Sequence, residues 1–326
     1  MKIIVILFFS MLLALPTYGQ NRETDYLSHV LEKMNAVESV TYHCVKKAWE
    51  PGDKEPVYSV PTEIYEHVNP QDTAVGYSFL CASDKEFRQP LWVYDGTVFA
   101  YIEKEEKEVR IDDFTQKSPL PFRVIMPQAF GCMKSILEYV LNTQDSIVLS
   151  LKDEGKDYLM ELSIHTPYQV EFFGKACYMP QNPYIYDPTS IYKIWISKEN
   201  DMPYRYRREM QHSISESICS DFVYNPSGKG KIVAEDYYPA DYVRRIKGEK
   251  SQKATVDMTG KKAPDWTLTD MKGQKVSLSG IKSKVILLKF TGIGCGPCKI
   301  SIPFLNSLRK AYAVNELEVL AVETWG

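Results

Sequence analysis

The sequence predicts an α+β protein made of two domains, and three observations lead to this prediction. The chain has 326 residues, of which 44% are hydrophobic and 25% charged; this is typical of a globular protein with more than one small core. Residues 20–240 are rich in strand patterns, with helices grouped instead of alternating, which favours an antiparallel arrangement. Near the C-terminus, residues 285–290 form an almost continuous apolar run, typical of a strand buried on both faces of a parallel sheet.

The strand patterns of the first domain are preceded by a helix at residues 21–37, where apolar residues recur at helical spacing. A second helix is predicted at 132–141. The predicted strands are rich in aromatic and β-branched residues, and they lie at 40–45, 74–80, 91–102, 146–152, 158–165, 191–197, 204–211 and 217–224. Asp95-Gly96 interrupts one of them and predicts a two-residue hairpin of type I′, with positive φ at both positions.

The N-terminus predicts export. Lys2 is followed by an apolar run at residues 3–15, and the small residues Thr17 and Gly19 are typical of a signal peptide cleaved after Gly19; an uncleaved anchor is the alternative. No cysteine follows the run, which disfavours a lipid anchor. No later segment is long and apolar enough to cross a membrane. We therefore expect residues 1–19 to be removed and the mature chain to be soluble in an oxidising periplasm.

Charge and histidine placement exclude several classes of partner. The formal net charge is −3 and no basic stripe with interleaved aromatics is present, so nucleic acid is not expected as a partner. The five histidines are scattered singly, without the paired spacing of a structural metal site. The sequence predicts neither a metal nor a cofactor.

Part of the first domain resembles a known family. Residues 195–207, with the sequence WISKENDMPYRYR, resemble a hairpin of the lipoprotein-carrier family that includes LolA, and the order of elements over residues 21–238 is also similar. The resemblance implies a half-barrel-like domain at residues 20–240, whose concave face takes up lipid or another apolar ligand. We interpret the prominent aromatic residues as sheet core instead of a lipid pocket: Tyr42, Phe79, Trp92, Phe99, Tyr139 and Trp195.

Basic residues collect after this domain while the apolar pattern lapses. The seven are Arg244, Arg245, Lys247, Lys250, Lys253, Lys261 and Lys262. We predict a linker at residues 241–257. A solvated run of charges is the preferred interpretation, and a basic patch for an acidic partner is the alternative.

The motif that carries chemistry is Cys295-Gly296-Pro297-Cys298. It follows the apolar strand and opens a helix with an apolar face, after which residues 317–322 form a second strand. Cys295 is therefore expected at a helix N-terminus, where free N–H groups and the helix dipole favour a thiolate and lower its pKa below the usual value of about 8.5. Cys298 would resolve the mixed disulfide that Cys295 forms. A structural bridge or half of a zinc site is the alternative.

The C-terminal residues from 258 onwards resemble the TlpA/ResA-like thiol–disulfide oxidoreductases, close to the AhpC/TSA group of the thioredoxin superfamily. The resemblance lies in residues 260–268, 273–279 and 290–303. Its most specific parts are Gly296-Pro297-Cys298-Lys299 and Pro303, which matches a helix-kinking proline. It implies a redox-active disulfide that reduces or exchanges disulfides in exported proteins and is served by an unidentified redox donor; Gly296, Pro297 and Lys299 support the two cysteines.

The sequence departs from the family pattern at several points. Gly292 replaces the threonine of a peroxiredoxin, which disfavours peroxidase activity. Gly294 stands where an aromatic residue is usual, Lys289 where Asp or Asn assists proton transfer, and Ser301 where some members have Glu. The chain also ends before the hairpin, cis-proline loop and closing helix of a complete thioredoxin fold. We therefore expect residues 258–326 to be a partial thioredoxin-like α/β domain, either truncated or vestigial, that folds incompletely alone.

Five further cysteines lie far apart in the first domain: Cys44, Cys81, Cys132, Cys177 and Cys219. We interpret them as small buried apolar residues instead of a disulfide framework. Two functions stay open. The first is an exported thiol–disulfide oxidoreductase, and the second is a carrier or binding module for an apolar ligand or a partner protein, acting through the N-terminal domain.

Overall fold

The computed structural model describes residues 18–50, 52–115, 122–181, 187–249, 258–292 and 296–324. It divides into two compact units, Met1–Glu249 (unit 1) and Lys250–Gly326 (unit 2). Strands dominate and three α-helices accompany them in the described part, which is the predicted α+β class. Residues 1–17 of the predicted signal peptide and residues 250–257 of the predicted linker lie outside the described residues. No helix in the described part has the length and hydrophobicity to span a bilayer.

In its described residues, unit 1 contains two α-helices and fourteen strands. In chain order they are α1 (Tyr18–Asn35), β1 (Ser39–Trp49), β2 (Tyr58–Val68), β3 (Tyr77–Ala82), β4 (Pro90–Tyr94), β5 (Val98–Glu103), β6 (Glu108–Asp113), α2 (Ala129–Asn142), β7 (Ile147–Glu154), β8 (Asp157–Ile164), β9 (Val170–Phe172), β10 (Ala176–Tyr178), β11 (Ser190–Ser197), β12 (Met202–Met210), β13 (Ser213–Tyr224) and β14 (Val243–Ile246).

Twelve of these strands form one sheet in the order β14-β6-β5-β4-β3-β2-β1-β13-β12-β11-β8-β7, and β9 pairs with β10 separately. Neighbours in the large sheet are antiparallel, except that β14 runs parallel to β6. Strands β1–β6 and β14 lie on one side of the β1–β13 pairing, and β7, β8 and β11–β13 lie on the other side. The β1–β13 pairing is thus the seam between the two halves of the sheet.

Both helices contribute to the main core of unit 1. Leu27, Val30 and Met34 of α1 are fully buried at helical spacing, and α2 contributes Met133 and Ile136. Alternate residues of the strands complete this core, so the sheet has one face that is filled by apolar side chains. A smaller cluster on β2–β6 is covered by the segment after β13 through Ile232 and Ala234.

Two sequence predictions about unit 1 need correction. Gly96 has φ of 99°, but Asp95 does not have a positive φ, so the hairpin is not a type I′ turn with positive φ at both positions. Asp95 acts through its side chain, which accepts hydrogen bonds from the backbone N–H groups of Thr97 (2.8 Å) and Val98 (3.0 Å). Trp195 is not part of the core, because it stacks with Arg205 at 3.9 Å on the half-exposed face of β11.

The predicted linker also begins too early. Its residues 243–246 form β14, which pairs with β6 in parallel. The basic residues find acidic partners on β6: Arg245 Nε donates to Glu108 at 2.5 Å, and Lys247 donates to Asp112. A charge run that looked solvated in sequence thus covers the edge of the sheet.

Unit 2 contains β15 (Thr267–Thr269), β16 (Lys275–Ser277), β17 (Val285–Thr291), α3 (Gly296–Ala311) and β18 (Leu317–Glu323). β15 and β16 form an antiparallel hairpin, and β17 pairs with β18 in parallel as predicted. The strand, helix, strand order of the sequence prediction is therefore present.

The expected burial of the strand at residues 285–290 is not observed. Val285 is 56% and Phe290 62% exposed, and no residue of unit 2 within the described ranges is classed as buried. β18 is the partner strand of β17 in the described part, so one edge of β17 carries no strand there. A single helix and a short hairpin supply too little apolar surface to cover both faces.

Candidate functional site

The first turn of α3 carries the predicted redox motif. β17 ends at Thr291 and α3 begins at Gly296, so the motif lies between a parallel strand and a helix. Cys295 lies outside the described residues. Cys298 is the third residue of α3, is half-buried and is disulfide-bonded.

Local chemistry explains why a helix can begin here. Gly296 and Pro297 are the first two residues of α3. Proline is tolerated in the first turn because N–H groups there have no acceptor within the helix, and its fixed φ suits helical geometry. Lys299 also lies in α3; the side chains of Gly296, Pro297 and Lys299 are outside the described part. The roles of the four motif residues therefore remain predictions from the sequence. The structure adds that α3 begins at the second of them, Gly296.

Two departures from the family pattern can be located. The Ser301 hydroxyl donates to the carbonyl oxygen of Cys298 at 2.7 Å, so it contacts the backbone of the motif where some relatives supply a carboxylate. Lys289 is half-buried on β17 and lies opposite Ala321 on β18. Pro303 lies inside α3 as the resemblance implies.

Cavities in the two units were not predicted from sequence. Unit 2 has one of about 300 Å³ between its hairpin and β18, lined by apolar residues that include Trp266, Met271 and Leu320. Unit 1 has a larger one of about 500 Å³, where apolar residues such as Phe222 share the lining with charged residues such as Lys156 and Glu199. The lining of both cavities is thus mixed or apolar. Aromatic residues near turns were the sequence signal that could have pointed to these cavities.

A buried carboxylate also escaped the sequence prediction. Glu66 of β2 is 0% exposed and accepts hydrogen bonds from the Tyr42 hydroxyl and from the backbone N–H groups of Phe130 (3.0 Å) and Gly131 (3.1 Å) at the start of α2. Burial raises the pKa of Glu66 to about 7, although these hydrogen bonds and the nearby Lys46 lower it. Glu66 thus caps the N-terminus of α2 from another element.

A buried pair of opposite charges, Arg208 and Glu171, also lies near α2. The guanidinium of Arg208 donates to both carboxylate oxygens of Glu171 at 2.7 Å and to the Ser213 hydroxyl at 2.7 Å. Glu171 is buried, and the attraction to it outweighs the burial that lowers the pKa of Arg208, so that pKa is raised. This arrangement satisfies a buried carboxylate and brings no nucleophile or ligand site together.

The five cysteines of unit 1 are all buried free thiols, as predicted: Cys44, Cys81, Cys132, Cys177 and Cys219. Among the described residues, no group of three or more His, Cys, Asp or Glu side chains is arranged to hold a metal.

Comparison with solved structures yields only distant similarity. The lipoprotein LppX of Mycobacterium tuberculosis matches over 65% of this chain and 99% of its own, with 7% identity and a TM-score of 0.32. A LolA superfamily protein of Nitrosomonas europaea matches over 67% of this chain and 99% of its own, with 10% identity and a TM-score of 0.25. Scores this low leave the architecture of unit 1 to be argued from its own strands and helices.

Sequence comparison gives a firmer result for unit 2. Residues 259–324 match the AhpC/TSA family. The thiol–disulfide oxidoreductase ResA of Bacillus anthracis is 36% identical over 64 residues, which cover 20% of this chain and 37% of that protein. ResA of Geobacillus kaustophilus is 40% identical over 68 residues (21% and 39%), and the thioredoxin-like protein YneN of Bacillus subtilis is 39% identical over 72 residues (22% and 42%).

These matches cover between 37% and 42% of the length of the three relatives. They cover about a fifth of this chain, and the AhpC/TSA match lies near its C-terminal end. Residues 259–324 are therefore similar to the AhpC/TSA family, and the chain is similar in part to the thiol–disulfide oxidoreductase ResA and to YneN.

Proposed function

We propose that this protein is an exported thiol–disulfide oxidoreductase whose working group is the Cys295–Cys298 couple. The observation that carries the proposal is the disulfide-bonded Cys298 in the first turn of α3, within a segment similar to ResA. The chain has seven cysteines, and five of them are free thiols in unit 1. We propose that Cys295, three residues earlier in the motif, is the partner of Cys298.

The reductive reaction follows from the position of the two cysteines. The thiolate of Cys295 attacks one sulfur of a substrate disulfide, forms a mixed disulfide and releases the other substrate sulfur as a thiolate. The thiol of Cys298 then loses its proton and attacks the sulfur of Cys295. The substrate leaves as a dithiol, and the Cys295–Cys298 disulfide must be reduced again by an exported thiol donor.

The helix favours Cys295 as the first nucleophile and Cys298 as the thiol that reacts second. The unsatisfied N–H groups and the dipole of α3 stabilise negative charge just before its first residue, which is the position of Cys295. Cys298 is one turn further into the helix and half-buried, which suits a thiol that reacts second. Gly296 and Pro297 shape the turn that keeps the two sulfurs close.

The test measures reduction of insulin disulfides by the full chain in the presence of dithiothreitol. We expect Cys295→Ser and Cys298→Ser each to lower the stimulated rate at least about tenfold, because each removes one step of the exchange. Cys177→Ser, which replaces a buried free thiol in unit 1, is the matched control and should leave the rate unchanged. Equal rates for wild type and Cys295→Ser would refute the proposal.

Export to the periplasm is part of the same proposal. It is supported by the signal-like residues 1–19 and by the similarity to ResA. Expression in a Gram-negative host, followed by fractionation and N-terminal sequencing, should recover a periplasmic chain that begins at Gln20. A chain that stays cytoplasmic and begins at Met1 would contradict export.

A carrier function of unit 1, built on a half-barrel, is the second candidate. The supporting observation is the cavity of about 500 Å³, whose lining combines Phe222 and Tyr224 with charged residues such as Lys156; the sheet face under α1 and α2 is already filled by core side chains. The full chain should bind a fluorescent fatty acid, and Phe222→Glu should weaken binding at least about tenfold. Val223→Glu is the control, because Val223 is the exposed next residue on β13. Absence of saturable binding would eliminate this candidate.

A further inference from the structure

Two cysteines of unit 1 lie directly opposite each other on neighbouring strands. Cys44 of β1 is paired in register with Cys219 of β13, and the flanking pairs Val45 with Ile218 and His43 with Ser220 keep the same antiparallel register. Both side chains belong to the main core, with Cys44 0% and Cys219 4% exposed. Opposite residues of an antiparallel pair point to the same face of the sheet, so the two thiols face each other.

The backbone geometry here suits a disulfide. Opposite residues in an antiparallel pair have Cα atoms about 4.5 to 5.5 Å apart, and disulfides span Cα distances of about 4.4 to 6.8 Å. Bond formation therefore needs rotation of two short side chains and no strand displacement.

The surroundings make the two sulfurs unequal. The neighbouring Cys219 lowers the pKa of Cys44, and Lys46 and Ser217 lower it further, although burial opposes them. The pKa of Cys219 is raised, first by burial and then by the neighbouring Cys44. Cys44 is thus suited to act as the nucleophile and Cys219 as the thiol that donates its proton.

The other free thiols do not share this arrangement. Cys81 of β3 lies opposite Ile64 on one side and Trp92 on the other. Cys177 lies opposite Glu171, and Cys132 is on α2. These three cysteines serve as internal controls.

We propose that Cys44 and Cys219 form a second redox couple, a dithiol that closes into a disulfide across the seam of the twelve-stranded sheet. The Cys44 thiolate attacks a disulfide oxidant, such as oxidised glutathione, and releases one thiolate from it. Cys219 then gives up its proton and attacks the sulfur of Cys44, which releases the second thiol of the oxidant. Two electrons and two protons pass from the cysteine pair to the oxidant.

The place of Cys44 and Cys219 in the sheet determines what a disulfide between them would do. The β1–β13 pairing joins the half-sheet of β1–β6 and β14 to the half-sheet of β7, β8 and β11–β13. A bond between Cys44 and Cys219 would hold these halves together covalently and restrict the unfolded chain. Because both thiols are buried, the oxidant reaches them before the seam closes during folding, or when it opens.

The test uses the full chain in a Cys295→Ser/Cys298→Ser background, so that its outcome does not depend on the proposed function. The chain is unfolded, refolded with oxidised or with reduced glutathione, alkylated and analysed by peptide mapping. We expect one cross-linked species joining the peptides of Cys44 and Cys219 after oxidative refolding. We also expect a thermal midpoint at least about 5 °C above that of the reduced form.

Two variants separate a redox couple from a merely packed pair. Cys44→Ser should abolish both the cross-link and the difference in thermal midpoint between the two refolding conditions, whereas Cys81→Ser should leave both in place. If all five thiols of unit 1 stay free after oxidative refolding, or if the cross-link involves Cys81, Cys132 or Cys177, the proposal is overturned.

Discussion

Replacing Glu66 with glutamine tests the buried carboxylate that caps α2. Glu66 is fully buried, and burial raises its pKa from 4.5 to about 7 despite hydrogen bonds from Tyr42, Gly131 and Phe130. The folded protein therefore holds a proton on this carboxyl group that the unfolded chain releases near pH 4.5. Glutamine fills nearly the same volume but cannot ionise, so Glu66→Gln removes this proton linkage.

The magnitude follows from the difference in pKa between the folded and unfolded states. Each unit of pKa difference corresponds to about 1.4 kcal/mol, so a rise from 4.5 to about 7 corresponds to about 3 kcal/mol. Because the folded state binds the proton more tightly, this contribution is fully present below pH 4.5. It is lost as the pH rises through the folded pKa of about 7, where the charged carboxylate must be buried.

The assay is urea unfolding of wild type and Glu66→Gln at a series of pH values from about 4.5 to about 8. The free energy of unfolding of wild type minus that of the variant should fall by about 3 kcal/mol over this range. Glu161→Gln is the control, since Glu161 is a partly exposed carboxylate on β8, 3.6 Å from Lys152, and its replacement leaves the buried carboxylate of Glu66 in place. A Glu66→Gln difference that is constant to within about 0.5 kcal/mol would refute the reasoning.

Two further predictions concern packing in the same region and are checked by urea unfolding at neutral pH. In Gly131→Ala the new Cβ would lie 2.8 Å from Glu66 Oε2 and 2.9 Å from the Tyr77 ring, so we expect a loss of about 1 to 3 kcal/mol; an unchanged stability would contradict the close contact. Arg208→Met should cost about 3 to 5 kcal/mol, because it leaves a buried carboxylate unpaired. Adding Glu171→Leu to Arg208→Met should recover most of that loss, and no recovery would argue against an unpaired charge as its cause.

The sequence predicted the elements whose local pattern matches their environment. α1 buries one apolar face, and β8 and β11 largely alternate between buried and half-exposed residues, so period and burial agree. β2 was not predicted because it contains Pro61 and the buried polar residues Thr62 and Glu66. β14 was missed because Arg245 is stabilised by Glu108 of β6, which lies 137 positions away in sequence.

The candidate functional residues also divide into those that local sequence features predict and those that only tertiary packing brings together. Cys295 and Cys298 could be predicted because their spacing and the strand before them are local features of the sequence. Cys44 and Cys219 could not, because their juxtaposition depends on the register of β1 and β13, strands that are distant in the chain. Glu66 could not be predicted as a cap, since only tertiary packing brings a carboxylate of β2 to the first turn of α2.

The most direct test of the central claim is a redox titration of the full chain under native conditions. The protein is equilibrated in glutathione buffers of graded potential, alkylated and digested, and the oxidised fraction of each cysteine peptide is measured. We predict that Cys295 and Cys298 titrate together in one reversible two-electron transition, without unfolding of the chain. If Cys298 is bonded to another cysteine, or if the pair stays oxidised at every potential until the chain is unfolded, the disulfide is structural and the account of its chemistry is wrong.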